Sequence, residues 1–242
     1  MAGVRAGYSL RQGGVSGPPW NSFNLGDHVG DDPAAVAANR QRLTQTLGVR
    51  PVFLRQVHGW GVRALPCADN TEVDGVWAEQ AGTACCIMVA DCLPILLSDA
   101  QGQVVAAAHA GWRGLCGQQG TGVLESLLGQ LRQRHPQASW LAWLGPAIGP
   151  LAYEVGDDVR QAFVATRADA ERHFHPIKGH TGKWWCDLPR LAHDRLHSLG
   201  VTQIGGNDGS EDWCTRTRAD LYFSHRRDGR SGRMAAAIFL HR

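Results

Sequence analysis

Residues 106–114 read Ala106-Ala107-Ala108-His109-Ala110-Gly111-Trp112-Arg113-Gly114, an apolar run that ends on a histidine facing a glycine turn. An imidazole at the end of a buried strand is placed for proton transfer or metal ligation. The segment Ala84 to Ala90 reads as a buried strand, Asp91-Cys92-Leu93-Pro94 interrupts it, and Ile95-Leu96-Leu97 resumes. Asp99-Ala100-Gln101-Gly102-Gln103 carries hairpin chemistry, and Val104 to Ala108 is the return strand. A loop centred on Gln101-Gly102 sets position 109 opposite 94 and 111 opposite 92, so His109 lies beside Cys92. Cross-strand neighbours hold their Cβ atoms about 4.5–5.5 Å apart, close enough to share a metal ion or a proton.

The segment Pro51-Val52-Phe53-Leu54-Arg55-Gln56-Val57-His58-Gly59 repeats the pattern, an apolar strand closed by a histidine and a glycine. Two strand-end histidines and one cysteine make a constellation of His58, Cys92 and His109. Zinc takes imidazole nitrogen and thiolate sulfur, and a set of three leaves the fourth position open for catalysis. Taken singly, each residue also fits a hydrogen-bonded core histidine or a small buried thiol. Asp91 adjoins Cys92 and Asp74 lies in a turn before the buried strand, which makes them the candidate proton-shuttling carboxylates. Arg11 followed by Gly13 and Gly14 offers a planar fork beside accessible backbone N–H groups, suited to phosphate; Arg113, Arg226 and Arg227 are further candidates. Arg230 and Arg233 read as surface residues. Trp112 suits either stacking on a purine or packing.

Helices that must carry this frame are marked by caps. Asp31-Asp32-Pro33 opens one that runs to Leu47 and stops at Gly48. A second spans 120–134, where Val123, Leu124, Leu127, Leu128 and Leu131 follow the helical period. Asp157 caps a third through Ala165, and Asp187-Leu188-Pro189 opens a fourth that ends at Leu199-Gly200. Strands are expected near 52–58, 61–65, 84–90, 95–98, 104–109, 140–145, 221–226 and 234–240. Hairpins and helical crossovers alternate irregularly, so the expected fold class is α+β, a single domain over 1–242 of layered mixed β-sheets covered by helices.

Arg11-Gln12-Gly13-Gly14-Val15-Ser16, Asn24-Leu25-Gly26, Gln56-Val57-His58-Gly59, Ala90-Asp91-Cys92-Leu93-Pro94, His109 to Gly114, Gly145-Pro146-Ala147-Ile148-Gly149 and Ser224-His225-Arg226-Arg227-Asp228 occur in this order. With them the chain resembles, nearly end to end, the laccase-domain family of the YfiH kind, also labelled multicopper polyphenol oxidase or purine nucleoside phosphorylase. The resemblance implies a zinc-dependent enzyme that phosphorolyses adenosine, inosine, guanosine and methylthioadenosine and deaminates adenosine. It carries the metal ligands onto His58, Cys92 and His109 and adds Asn24 to the substrate side. The chain departs from the family at His28, where relatives often have cysteine, and at Gly75, where alanine is usual.

With 242 residues, 43% hydrophobic, the chain can bury a sizeable core, and a formal charge of +2 gives no strong pull toward nucleic acid or membrane. The expected partners are a small-molecule nucleoside and phosphate; nothing sets the oligomeric state. No apolar stretch reaches the about 20 residues that span a bilayer, and the first residues lack a signal-peptide core. Seven cysteines, an odd number without Cys-x-x-Cys spacing, argue against a disulfide framework and for a reducing cytoplasm. Cys67, Cys85, Cys86, Cys116, Cys186 and Cys214 read as structural.

A zinc ion on three protein ligands brings a water it holds to a pKa of about 7, which suits attack on an aminopurine, although the His-x-Glu pattern of nucleobase deaminases is absent. A rival class is a Cys/His hydrolase that uses Cys92 as nucleophile and His109 as base to edit amino acids on peptidoglycan precursors. A polyphenol oxidase with copper is the other, although such centres need more paired histidines than this chain offers.

Overall fold

The structure is a computed structural model that describes residues 3–241. Among the described residues, thirteen strands and six α-helices follow one another as β1 (Val4–Tyr8), α1 (Pro33–Leu47), β2 (Arg50–Val52), β3 (Val62–Ala64), β4 (Gly75–Ala78), β5 (Thr83–Val89), β6 (Leu93–Asp99), β7 (Val105–Ala110), α2 (Trp112–Cys116), α3 (Val123–Arg134), β8 (Trp140–Leu144), β9 (Glu154–Gly156), α4 (Asp157–Thr166), β10 (Phe174–Pro176), β11 (Lys183–Cys186), α5 (Leu188–Ser198), β12 (Gln203–Gly206), α6 (His225–Asp228) and β13 (Met234–Leu240). A four-stranded sheet in the order β1-β13-β5-β2 packs on a six-stranded sheet in the order β12-β8-β6-β7-β4-β3, and β10-β11-β9 form a small third sheet. Parallel and antiparallel pairs mix in both large sheets, which is the layered α+β architecture expected.

Apolar residues on opposite faces of one strand explain the layers. Cys85, Ile87 and Val89 of β5 meet Leu96, Val105 and Ala107 of the other sheet, while Cys86 and Met88 turn the other way, into a cluster with Leu43 of α1. Ile95, Leu97, Ala106 and Ala108 point away from the four-stranded sheet, into a core with Leu124, Leu127 and Leu131 of α3. Strands buried on both faces read as continuous apolar runs, without alternation. All seven cysteines are free, and no helix among the described residues is long and apolar enough to cross a membrane.

Caps act where the sequence puts them. The Asp32 carboxylate accepts from Ala34 N and Gly48 closes α1 in the left-handed region; Asp187 accepts from Arg190 N ahead of α5. At α4 the cap is Gly156, and Asp157 is the first helical residue.

Two expected strands are corrected. The run 52–58 leaves the ladder after Val52, because carboxylates take its N–H groups instead: Phe53 N donates to Asp69, and Val57, His58 and Gly59 donate to Asp74. Residues 221–226 are a turn leading into the short helix α6, whose Ser224 hydroxyl accepts from Arg227 N. The segment 84–97 is also not one interrupted strand, since β5 and β6 belong to different sheets and Asp91-Cys92 is the crossing point between them.

Candidate metal centre

The β6-β7 hairpin pairs Pro94 with His109 and Leu93 with Ala110, which extends to Cys92 opposite Gly111, the expected register. A buried carboxylate pins it: Asp99 Oδ1 accepts from Gln103 N and Val104 N at 2.7 Å each. His58 arrives from the peeled-off segment with φ of 59°, a left-handed conformation that Asp74 holds by accepting from the three consecutive backbone N–H groups of Val57, His58 and Gly59. The ring of His58 then meets that of His109 edge-on, with centroids 4.8 Å apart. The ligand atoms of His58, Cys92 and His109 all lie within 4.8 Å of one another, and this is the metal-capable His/Cys/carboxylate group found among the described residues.

The donor set fits a borderline-soft divalent ion. His109, 3% exposed, donates Nδ1–H to Asp74 Oδ1 at 2.8 Å, which leaves Nε2 as its other nitrogen. A carboxylate behind a histidine is the arrangement that orients metal-bound imidazoles. Burial acts to raise the Asp74 pKa, but the His109 hydrogen bond and charge and the Gly59 and Val57 N–H groups outweigh it and hold it below the usual carboxylate value. Burial likewise acts against the Cys92 thiolate, yet the charge and hydrogen bond of His109 and the contact with His58 bring its pKa down to about 6. His109 moves the other way, to about 9: burial lowers it, and Cys92 and Asp74 more than compensate.

Close packing leaves the triad little freedom. A Cβ on Gly111 would stand 3.0 Å from Cys92 Sγ and 3.1 Å from His58 Cδ2, and one on Gly114 would stand 2.8 Å from Gly59 O. The short helix α2 therefore presses against the His58 turn at a place where only glycine fits.

Above the triad opens a cavity of about 860 Å³, bordered by His28, Met88, Trp112, Tyr153, Arg226 and Arg233 among others. A second cavity, about 760 Å³, lies between β1 and the β6-β8-β12 edge, and of its lining residues only Tyr8 titrates.

The other expected site residues divide. Asp91, with φ of 88°, takes Thr215 Oγ1–H at 2.6 Å on one oxygen and Arg226 N–H at 2.7 Å on the other. Asp74 has both oxygens occupied as well. Each carboxylate therefore positions chain, Asp91 between Thr215 and Arg226 and Asp74 behind His58 and His109. Arg226 lies on the cavity wall, over the Tyr153 ring and with Nη1 on Glu154 O. Trp112 borders the cavity while also packing on the core.

Arg11, Gly13 and Gly14 do not border the cavity. The Arg11 guanidinium donates to Asn21 O and Ala219 O and covers the Phe223 ring. Gly14 is required because a Cβ there would lie 2.1 Å from Ser22 O, a crossing of two chain segments and not an approach to an anion. Asn24 is fully buried, with Oδ1 accepting from Gly26 N and Arg233 N and Nδ2 donating to Asp31. Arg233, expected on the surface, borders the cavity. The sequence signal for it was Asn24-Leu25-Gly26, whose buried amide and glycine are both shaped to this arginine.

Layered mixed sheets carrying a His/Cys/His group at the end of a hairpin define a fold with a candidate nitrogen–sulfur metal centre. The family described as multi-copper polyphenol oxidoreductase laccase matches residues 5–241, and the chain belongs to it. It is 46% identical over 239 residues to the purine nucleoside phosphorylase PA4543 of Pseudomonas aeruginosa, covering 99% of this chain and 94% of that one. It is 47% identical over 243 residues to the purine nucleoside phosphorylase YfiH of Escherichia coli, covering 98% and 94%. The crystal structure of Neisseria meningitidis protein NMB0706 superposes with a TM-score of 0.88 at 38% identity, over 100% of this chain and 96% of that one. YlmD from Geobacillus stearothermophilus gives 0.85 at 31% identity, over 100% and 93%.

Proposed function

We propose that this chain is a metal-dependent purine nucleoside phosphorylase that also deaminates adenosine, with one divalent ion, zinc by preference, on His58, Cys92 and His109. The observation that carries this reading is the convergence of the three donors beneath a cavity of nucleoside size, with Asp74 fixing His109 from behind. Adenosine, inosine, guanosine and methylthioadenosine are the proposed nucleosides, and the names of the relatives support the class.

When bound, such an ion supplies Lewis-acid polarisation of a substrate oxygen or activation of a water. The chain supplies the rest. Asp74 holds the His109 ring in one tautomer, and Trp112 and Tyr153 border the cavity that would take the purine. In phosphorolysis a phosphate oxygen bonds to C1′ while the glycosidic bond breaks and its electron pair leaves with the base. The cationic cavity wall stabilises the incoming anion. The soluble, cytoplasmic setting expected from the sequence belongs to this proposal.

A second reading has an observation of its own. A Cys92 thiolate beside a cationic His109 is also a nucleophile and acid pair, suited to hydrolysis of an amide on a cell-wall precursor. Copper oxidation has less support, since the described residues hold a single His/Cys group and not several.

Incubating metal-replete protein with adenosine and phosphate and separating the products decides among these. Adenine with ribose 1-phosphate marks phosphorolysis and inosine marks deamination. Activity on an amide that survives full chelation but is abolished by alkylation of Cys92 would establish the hydrolase instead.

A further inference from the structure

Four guanidinium groups border the cavity, and three of them are already engaged. Arg55 pairs with Glu72, Arg226 reaches Glu154 O, and Arg113 lies over Trp112. Arg233 is different. Its hydrogen bonds all leave from Nη1, to Ser231 O, Ser231 Oγ and Gly232 O, and its Nε and Nη2 have no hydrogen-bond partner among the described residues.

The side chain is half-buried and borders the same cavity as Asp91, Cys92, His58 and His109, with the charges of Cys92 and Asp91 acting on it. A cation taken out of water without a paired carboxylate is costly, and an arriving anion restores the missing partner. The chain holds this arginine firmly. Its backbone N–H donates to Asn24 Oδ1, its carbonyl accepts from Leu25 N, and a Cβ on Gly26 would meet its Cγ at 2.8 Å.

We infer that Arg233 is the anion-reading group of the cavity, presenting its free Nε–Nη2 edge to a tetrahedral oxyanion, and that Asn24 is a positioning residue acting through it. That edge carries two parallel N–H donors, the geometry that grips phosphate in a bidentate way. Naming the oxyanion as phosphate rests on the phosphorolytic reading above; the site itself does not.

The test is calorimetric titration of inorganic phosphate onto the metal-loaded full chain, comparing wild type with R233M, R233K and R11M. R233M should weaken phosphate binding about 100-fold or more, the value of two charge-assisted hydrogen bonds. R233K, which keeps the charge and loses the fork, should fall between, and R11M should bind as wild type does. Zinc content should be equal in all four. Should R233M fail to fold, R233K decides: phosphate binding equal to wild type in that variant overturns the assignment. So does wild-type affinity in R233M, an equal loss in R11M, or no phosphate binding by the wild type. If the wild type neither phosphorolyses nor deaminates nucleosides, the functional reading fails, while the contrast in phosphate binding still decides the role of Arg233.

Discussion

Asp74 organises more of the candidate site than any ligand does. Its two oxygens accept from His109 Nδ1 and from three consecutive backbone N–H groups, so a single buried carboxylate sets both the His109 tautomer and the left-handed turn at His58. Asp74→Asn keeps the volume but puts an amide donor against N–H groups, and zinc affinity should fall about 10- to 100-fold; competition with a chromophoric chelator measures it. The titration of Cys92 and His109 makes a further prediction. With the thiol at about 6 and the imidazole at about 9, both are charged at pH 7 before metal arrives, and a metal takes only neutral imidazole. Binding at pH 7 should therefore release about one proton, and affinity should rise about tenfold per pH unit between 6 and 9. Calorimetry in two buffers of different ionisation enthalpy counts that proton, and a heat independent of buffer would refute the charged pair.

At the scale of elements, α2 is the brace for the site. It begins directly after β7, and Gly114 brings it onto the carbonyl of Gly59. Gly114→Ala must push the His58 turn away, because the atom it meets is backbone. A loss of about 1–3 kcal/mol in stability together with weakened zinc binding is the expected result. Retention of full zinc content and wild-type stability would show that the contact is slack. On the far side, Asp194 of α5 pairs with Arg172 and with His173 at 2.7 Å, tying α5 to the 3-10 turn at Ala168–His173. Burial acts against its charge, but these partners bring its pKa down to about 2. A depressed carboxylate stabilises above its unfolded value of about 3.9 and loses that contribution as pH falls toward 2. Asp194→Asn should cost about 1 kcal/mol at pH 7, because solvent screens the pair, and denaturant unfolding should show the gap to wild type closing between pH 4 and pH 2.

For the molecule as a whole, the triad joins three separate pieces: the segment after β2, the crossing between the two large sheets at Cys92, and the end of β7. An ion held there restrains all three. At a free concentration a hundredfold above its dissociation constant it should add about 2.7 kcal/mol, or roughly 5–10 °C in Tm for a chain of this length. Chelation should reverse the gain. Cys92→Ala should show no metal-dependent shift, and an equal shift in that variant would move the metal elsewhere.

How far the sequence could be read follows from the range of the forces involved. The helices at Asp32-Pro33 and Asp187-Leu188-Pro189, and the hairpin closed by Asp99, rest on contacts within a few residues, so their caps, turns and register were legible along the chain. The pairing of Cys92 with His109 is a consequence of that register, and His58 was drawn to them by the like pattern that precedes it. Other features depend on partners far apart in the chain. The strand expected through 52–58 fails because Asp69 and Asp74 outcompete a sheet neighbour for its N–H groups. Asp91 and Asp74 look like free acids until Thr215, Arg226 and His109 are seen to occupy them. Arg11 and Arg233 exchange their expected places for the same reason: a guanidinium is free or engaged only by virtue of what folding brings beside it. Asn21 and Ala219 occupy Arg11, whereas Asn24 holds the backbone of Arg233 and leaves one edge of its fork open.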